Sequence, residues 1–327
     1  MTAPQRLTLG TCALGRAIDA RGAPLDRGPL LRGRSVSLEL RPPRPNERIA
    51  IAAPLWTGTR AIDALLTIGR GARVGIFGAP GAGKTTLLES IAQGCAADAT
   101  VVALVGERGR EAQRWIERRD HRTTVVCATS DRPARERSAA AHVAAAHARA
   151  LRERGLHVLF VLDSLARCAA AWRELRVAEG ESAGRGGYPP GVFAQMAQLV
   201  EVAGSLDCGS ITLVCTVIND GDDRDPVSEA ARSLLDGHVV LSARLAEAGW
   251  FPAVDVLASA SRTMDAVADE SHRHAAHMVR RALALLDRTA DARSLGIDPD
   301  TDAARVAMAA ESGPRSLLAP RAGVRAR

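Results

Sequence analysis

The stretch Gly78-Ala79-Pro80-Gly81-Ala82-Gly83-Lys84-Thr85 constrains this chain more than any other. It fits the phosphate-binding pattern of Gly, four residues, then Gly-Lys-Ser/Thr. Before it, Arg73-Val74-Gly75-Ile76-Phe77 reads as a short buried strand; after it, 86–92 reads as a helix that begins at Thr86. Glycines let backbone N–H groups turn inward around a phosphate without a Cβ in the way. The positive end of the following helix faces the same phosphates. In this arrangement Lys84 reaches the β- and γ-phosphates, and Thr85 ligates Mg²⁺. Lys84 is also the only lysine among 43 basic residues. A chain that uses arginine everywhere else keeps a compact ammonium where a planar guanidinium does not fit.

The flanking sequence supports an α/β fold. Between 73 and about 262, apolar strands alternate with helices: strands over 100–105, 123–128, 157–162, 211–218 and 238–241, helices over 111–119 and 138–154. Within the strand over 157–162, the run over 158–162 is apolar throughout, as a strand buried on both faces must be. This alternation predicts a parallel sheet wrapped by helices. Residues 1–45 are rich in Gly, Pro and Arg and read as a loop-like linker before a core at 46–268, with a short strand over 49–54 and a short helix over 57–66. Helices over 275–287 and 301–310 predict a small helical domain at 269–313, and 314–327 reads as a disordered tail.

Composition narrows the function. Hydrophobic residues make up 46% of the chain and aromatic residues 3%, so the core must be aliphatic. The net charge of +6 comes from scattered arginines and reads as a solvated surface, not a nucleic-acid footprint. None of the six cysteines forms a Cys-x-x-Cys pair, which fits buried free thiols in a reducing cytoplasm. No apolar run approaches 18 residues, which disfavours a membrane span, and no leader-like segment opens the chain. His272, His274 and His277 have no carboxylate–cysteine set beside them and read as a solvated helix face rather than metal ligands.

Three further residues suit the chemistry of the loop. Asp163 closes the apolar strand over 157–162, where a second Mg²⁺ carboxylate is expected; as an alternative it caps the next helix. Glu107 follows the strand over 100–105, placed to polarise the attacking water, although Glu-Arg clusters are usually surface ion pairs. Arg262, late in the core, suits an arginine finger given to a neighbouring subunit, and equally suits a surface residue.

Many short motifs in order then resemble the type III secretion ATPases, relatives of the rotary ATP synthase catalytic subunit. They include Leu14-Gly15-Arg16-Ala17-Ile18-Asp19, Thr57-Gly58-Thr59-Arg60-Ala61-Ile62-Asp63, the phosphate loop and Gly106-Glu107-Arg108-Gly109-Arg110-Glu111. Leu162-Asp163-Ser164-Leu165-Ala166-Arg167, Gly187-Tyr188-Pro189-Pro190, Gly221-Asp222-Asp223, Leu235-Asp236-Gly237-His238 and Pro252-Ala253-Val254-Asp255 continue the match. The resemblance implies a RecA-like core that binds ATP and Mg²⁺. Carried over by position, Glu107 is the catalytic glutamate, Arg167 faces the phosphates and Arg262 is the finger. Phe251 stands where the family commonly has a tyrosine near the adenine. The stretch over 255–262 leans toward the injectisome branch rather than the flagellar one. The family's N-terminal β-barrel is missing, Gly296-Ile297-Asp298-Pro299 is shorter than its counterpart, and Gly191 replaces a usual serine.

The implied function is ATP hydrolysis coupled to chaperone release, unfolding and export of proteins. The implied partners are further copies in a homohexamer, secretion stalk and stator proteins, chaperone–effector complexes and the inner membrane at its cytoplasmic face, with no nucleic acid. Alternatives are a truncated nucleotide-binding assembly or regulatory subunit with weak turnover, and a flagellar export ATPase. An RNA-dependent translocase is disfavoured, because no oligonucleotide-binding barrel or aromatic-basic surface precedes the core.

Overall fold

The computed structural model describes residues 6–218 and 225–294. Its strands are β1 (Arg6–Thr8), β2 (Ala17–Asp19), β3 (Ser35–Ser37), β4 (Pro54–Leu55), β5 (Ile68–Gly69), β6 (Arg73–Gly78), β7 (Ala99–Val105), β8 (Thr123–Ala128), β9 (His157–Asp163), β10 (Gly204–Leu206), β11 (Gly209–Ile218), β12 (Gly237–Leu241) and β13 (Val254–Ser261). The α-helices are α1 (Arg60–Leu65), α2 (Lys84–Gly94), α3 (Gly109–Arg118), α4 (Ala134–Arg152), α5 (Leu165–Ala178), α6 (Pro190–Val200), α7 (Pro226–Leu234), α8 (Ala243–Glu247), α9 (Met264–Val267) and α10 (Glu270–Ser294).

One sheet dominates, in the order β13-β12-β6-β11-β9-β7-β8-β2, with β10 paired to β11. Every pairing from β12 to β2 is parallel, whereas β13 and β10 run antiparallel to their neighbours. The central strands β7 and β9 are buried along their whole length, as their unbroken apolar runs require when helices cover both faces. The core is aliphatic, with Val101, Val158, Leu162 and Leu213 among its fully buried members. In α4, alanines at 140, 141, 144, 145 and 148 bury a narrow face directly on the sheet. Only small side chains allow that close an approach.

Residues 6–45 depart from the loop-like expectation. β2 joins the main sheet as its edge strand beside β8, and β1 pairs with β3. Three-residue strands are too short to show periodicity, and polar bonds hold them. Asp26 accepts from Arg16 Nε at 2.8 Å and from Ala17 N–H at 2.9 Å. His147, fully buried, accepts the Gly10 N–H on Nδ1 at 3.3 Å, while its Nε2 bonds the Thr124 hydroxyl at 2.9 Å. Burial drives the His147 pKa down to about 3, so the ring is neutral and can accept. The strand expected over 49–54 is reduced to β4, which pairs with β5.

Among the described residues no helix is long and apolar enough to cross a membrane. Cys95, Cys127, Cys168 and Cys215 are buried free thiols, while Cys208 is exposed. His274 and His277 are exposed, but His272 is half-buried and bonds Ala64 O through Nε2 at 2.9 Å, fastening α10 to α1. Gly191 allows a local bond: its N–H donates to Glu181 Oε1 at 2.7 Å, and a Cβ there would meet Glu181 Oε2 at 2.6 Å. Gly221-Asp222-Asp223, Gly296 to Pro299, the helix expected over 301–310 and the tail lie outside the described residues.

Candidate active site

The phosphate loop joins the carboxyl end of β6 to the start of α2, as its sequence requires. Gly81 and Gly83 have φ of 83° and 93°, backbone conformations that L side chains rarely adopt. A Cβ at either would meet no atom within 4 Å, so the loop opens onto free space. No side chain caps α2, and its first turn holds no acid. Its leading N–H groups therefore point at that space without a competing anion. Lys84 folds back across the loop, with Nζ donating to Gly78 O at 2.7 Å and Ala79 O at 2.8 Å. Thr86 is exposed at the start of the helix.

The register of the parallel strands brings the other residues to the same edge. Ile218 lies opposite Gly78, Cys215 opposite Leu162, and Leu104 opposite Asp163. Asp163 is 4% exposed. Its Oδ1 accepts from Thr216 Oγ1 at 2.6 Å and its Oδ2 from Thr85 Oγ1 at 3.3 Å. Burial raises the Asp163 pKa, and the two hydroxyls and Arg167 oppose that rise. The Thr85 hydroxyl and the Asp163 carboxylate, side by side at the mouth of the loop, form a hard-oxygen set that fits Mg²⁺. Ser164, not Asp163, caps α5, accepting the Arg167 N–H at 3.2 Å.

Glu107 lies between β7 and α3, 5% exposed. Its carboxylate meets Arg167 Nη1 at 3.1 Å, and the same guanidinium donates to Gly106 O. Burial raises the Glu107 pKa most, followed by a hydrogen bond with Glu111 and the charge of Asp163; Arg167 works against all three. Glu111 moves the other way, held down chiefly by the same hydrogen bond with Glu107, so the two carboxyls titrate as a pair. The result is a carboxyl held back from ionising, beside Arg167 and within the field of Asp163. Such a group becomes a base for water once further positive charge arrives.

The structure thus brings Lys84, Thr85, Asp163, Glu107 and Arg167 to one edge of the sheet. It places Arg262 elsewhere. Gly237 pairs with both Val74 and Ser261, so Arg262 follows β13 at the amino end of β6, the far end from the loop. Phe251 is 49% exposed in the connection from β12 to β13. That connection starts beside the loop, because Leu241 packs against Gly78. Its neighbours Trp250 and Pro252 line a hollow of about 410 Å³ with Leu283 and Leu286 of α10. Thr216 and Glu111 had no role in the sequence reading. The only signal for Thr216 is a lone hydroxyl in the run Val214-Cys215-Thr216-Val217, and Glu111 looks like any exposed helix acid.

Comparison with known proteins agrees with this fold. Residues 58–261 match the ATP synthase alpha/beta family, nucleotide-binding domain. The type 3 secretion system ATPase of Sinorhizobium fredii is 46% identical over 86% of this chain, and the chain spans 64% of that relative's length. The flagellum-specific ATP synthase of Bacillus subtilis is 44% identical, over 89% of this chain and 68% of its own. A solved assembly of the ATPase EscN with its central stalk EscO, from the enteropathogenic E. coli type III secretion system, superposes with a TM-score of 0.89. It is 38% identical and covers 96% of this chain and 78% of its own.

Proposed function

The chain belongs to the ATP synthase alpha/beta family, and on that premise we propose that it hydrolyses ATP in a ring of identical copies that serves protein secretion. One observation carries the reading. Lys84, Thr85, Asp163, Glu107 and Arg167 share one edge of the sheet while Arg262 sits at the other, so a single chain holds all of the site except its finger.

Lys84 and the leading N–H groups of α2 bind the β- and γ-phosphates and hold the γ-phosphoryl group in line for attack. Thr85 and Asp163 hold Mg²⁺, which supplies neutralising charge to the phosphate oxygens. Arg167 steadies Glu107 and lends it positive charge. Glu107 orients the water and, ionised once positive charge gathers around it, takes the water's proton. Arg262 of the adjoining copy stabilises the charge that spreads over the transferring group. Phe251 offers a ring face to the adenine.

The cellular reading follows from the relatives. The ring, a hexamer, works in the cytoplasm at the inner-membrane face of a type III secretion machine, detaching effectors from chaperones and unfolding them for export. A central stalk and stator proteins hold it there. The Bacillus relative keeps a flagellar export machine as the second setting for the same chemistry. The distance between Arg262 and its own loop also favours one other reading, a chain that binds nucleotide and turns it over weakly unless assembled.

Glu107→Gln tests the catalytic reading. Fluorescent-nucleotide affinity is expected to stay within about twofold while kcat falls about 10²-fold or more. An equal loss of affinity would make Glu107 a structural residue. Specific activity of the wild-type chain that stays flat and low across a wide concentration range, while nucleotide binds, would select the weak-turnover reading.

A further inference from the structure

Arg262 is exposed, yet the backbone that carries it is held on all sides. Ser261 Oγ donates to Thr67 O at 2.7 Å. The Arg262 N–H donates to Asp236 O at 2.9 Å. Thr263, 8% exposed, accepts the Gly69 N–H on Oγ1 at 3.0 Å. Three consecutive residues are therefore bonded to 67–69 and to 236.

Those anchors lead directly to β6. The Asp236 carboxylate accepts Arg73 Nε and Nη2, each at 2.9 Å, as well as the Arg73 N–H at 2.9 Å. The Asp236 N–H returns a bond to Arg73 O at 2.7 Å. A two-pronged guanidinium–carboxylate pair reinforced by backbone bonds on both sides fixes position as well as charge. Arg73 also pairs with Glu201, and Glu201 with Arg48 at 2.7 Å. Arg73 is the first residue of β6, and Gly78, the last, opens the phosphate loop.

We propose that Asp236 and Thr263 are positioning residues that aim Arg262 at the nucleotide phosphates of a second copy of this chain and fasten it to the strand bearing the chain's own phosphate loop. The inference rests on the reading of Arg262 as a finger. Each chain receives at one end of β6 and gives at the other, and a rigid strand joins the two tasks. Bond geometry of this kind matters because displacing a positioned group by about 1 Å costs on the order of 10²-fold in rate. None of these residues touches a phosphate in its own chain, so their effect must appear at the neighbour's site.

That separation provides the test. Asp236→Asn and Thr263→Val are made in the full chain, with Thr263→Ser as the conservative control and Arg262→Ala and Lys84→Ala as references. Asp236→Asn and Thr263→Val are expected to lower kcat at least about tenfold, with fluorescent-nucleotide affinity unchanged, and Thr263→Ser to restore it. Adding either substitution to Arg262→Ala should cause no further loss, since nothing is left to aim. Mixed with Lys84→Ala chains, each should regain activity as Arg262→Ala does, because its intact loop then meets a well-mounted finger. Lys84→Ala mixed with Glu107→Gln, two chains with damaged loops, should regain none. Loss of nucleotide affinity in Asp236→Asn or Thr263→Val would overturn the proposal. So would additive losses in the doubles, or failure to recover under conditions where Arg262→Ala recovers. If Arg262→Ala itself fails to recover in confirmed mixed assemblies, the finger reading falls, and this one with it.

Discussion

The two ends of β6 are built on opposite electrostatic terms. At its carboxyl end, Asp163 and Glu107 are buried with pKa values pushed upward, and Arg167 pairs with Glu107. At its amino end, Arg73, Asp236, Glu201 and Arg48 form a closed run of ion pairs with bonded backbone between them. The first arrangement costs the fold stability; the second fixes its geometry. Folded pKa values raised above the unfolded ones mean that stability is fullest at low pH and lost as pH rises through the folded values. A site under that strain is suited to receive cations from outside, and the paired end is suited to deliver one.

Lys84→Ala strikes the receiving end hardest. Removing the ammonium proposed to meet the γ-phosphate should lower kcat by about 10³-fold or more, while circular dichroism and melting temperature stay near wild type. Turnover like wild type in the folded variant would refute the assignment of the loop.

Thr216→Val is a finer probe of the same end. It keeps the volume and leaves Asp163 Oδ1 buried without its 2.6 Å donor. Partners behind a metal ligand are worth about 10- to 100-fold in metal affinity or activity. The variant should need correspondingly more Mg²⁺ for half-maximal rate, and Thr216→Ser should return the wild-type requirement. An unchanged Mg²⁺ dependence would separate Asp163 from the metal.

Asp26→Asn should have the smallest effect on turnover and act on stability instead. Asp26 is 2% exposed and binds Arg16 and Arg119. Its hydrogen bonds from Arg16 hold its pKa well below the ordinary value, with further help from the Ala17 and Gly28 N–H groups. A depressed folded pKa contributes stability above the unfolded value of about 4 and loses it as pH falls. The substitution should cost about 2 kcal/mol in denaturant unfolding at pH 7, and the gap from wild type should begin to narrow as pH falls below about 4, by about 1 kcal/mol at pH 3. A gap of the same size at pH 7 and pH 3 would assign the loss to packing instead.

Local pattern made the phosphate loop, the long central strands and Asp163 legible. Gly-x₄-Gly-Lys-Thr describes a turn whose chemistry is contained in eight residues, and β9 announces itself by burial on both faces. Arg167 was legible only through resemblance, and position alone left Glu107 and Arg262 no better than surface residues, because a single charged residue after a strand has no local signature. The helices α5, α6 and α7 were not anticipated, nor were β2 and β13; β2 is three residues long, too short to show a period.

By itself, then, the sequence determined that this chain carries a phosphate loop on a parallel α/β sheet, because glycine conformations and apolar runs are properties of neighbours along the chain. The tertiary structure alone decided the rest. It placed Thr216 behind Asp163 and Arg167 beside Glu107, and set Arg262 on the far end of the strand from its own loop. Those relations depend on strand order and register, which bring together residues 50 to 190 positions apart, and on burial, which sets the charge each one holds.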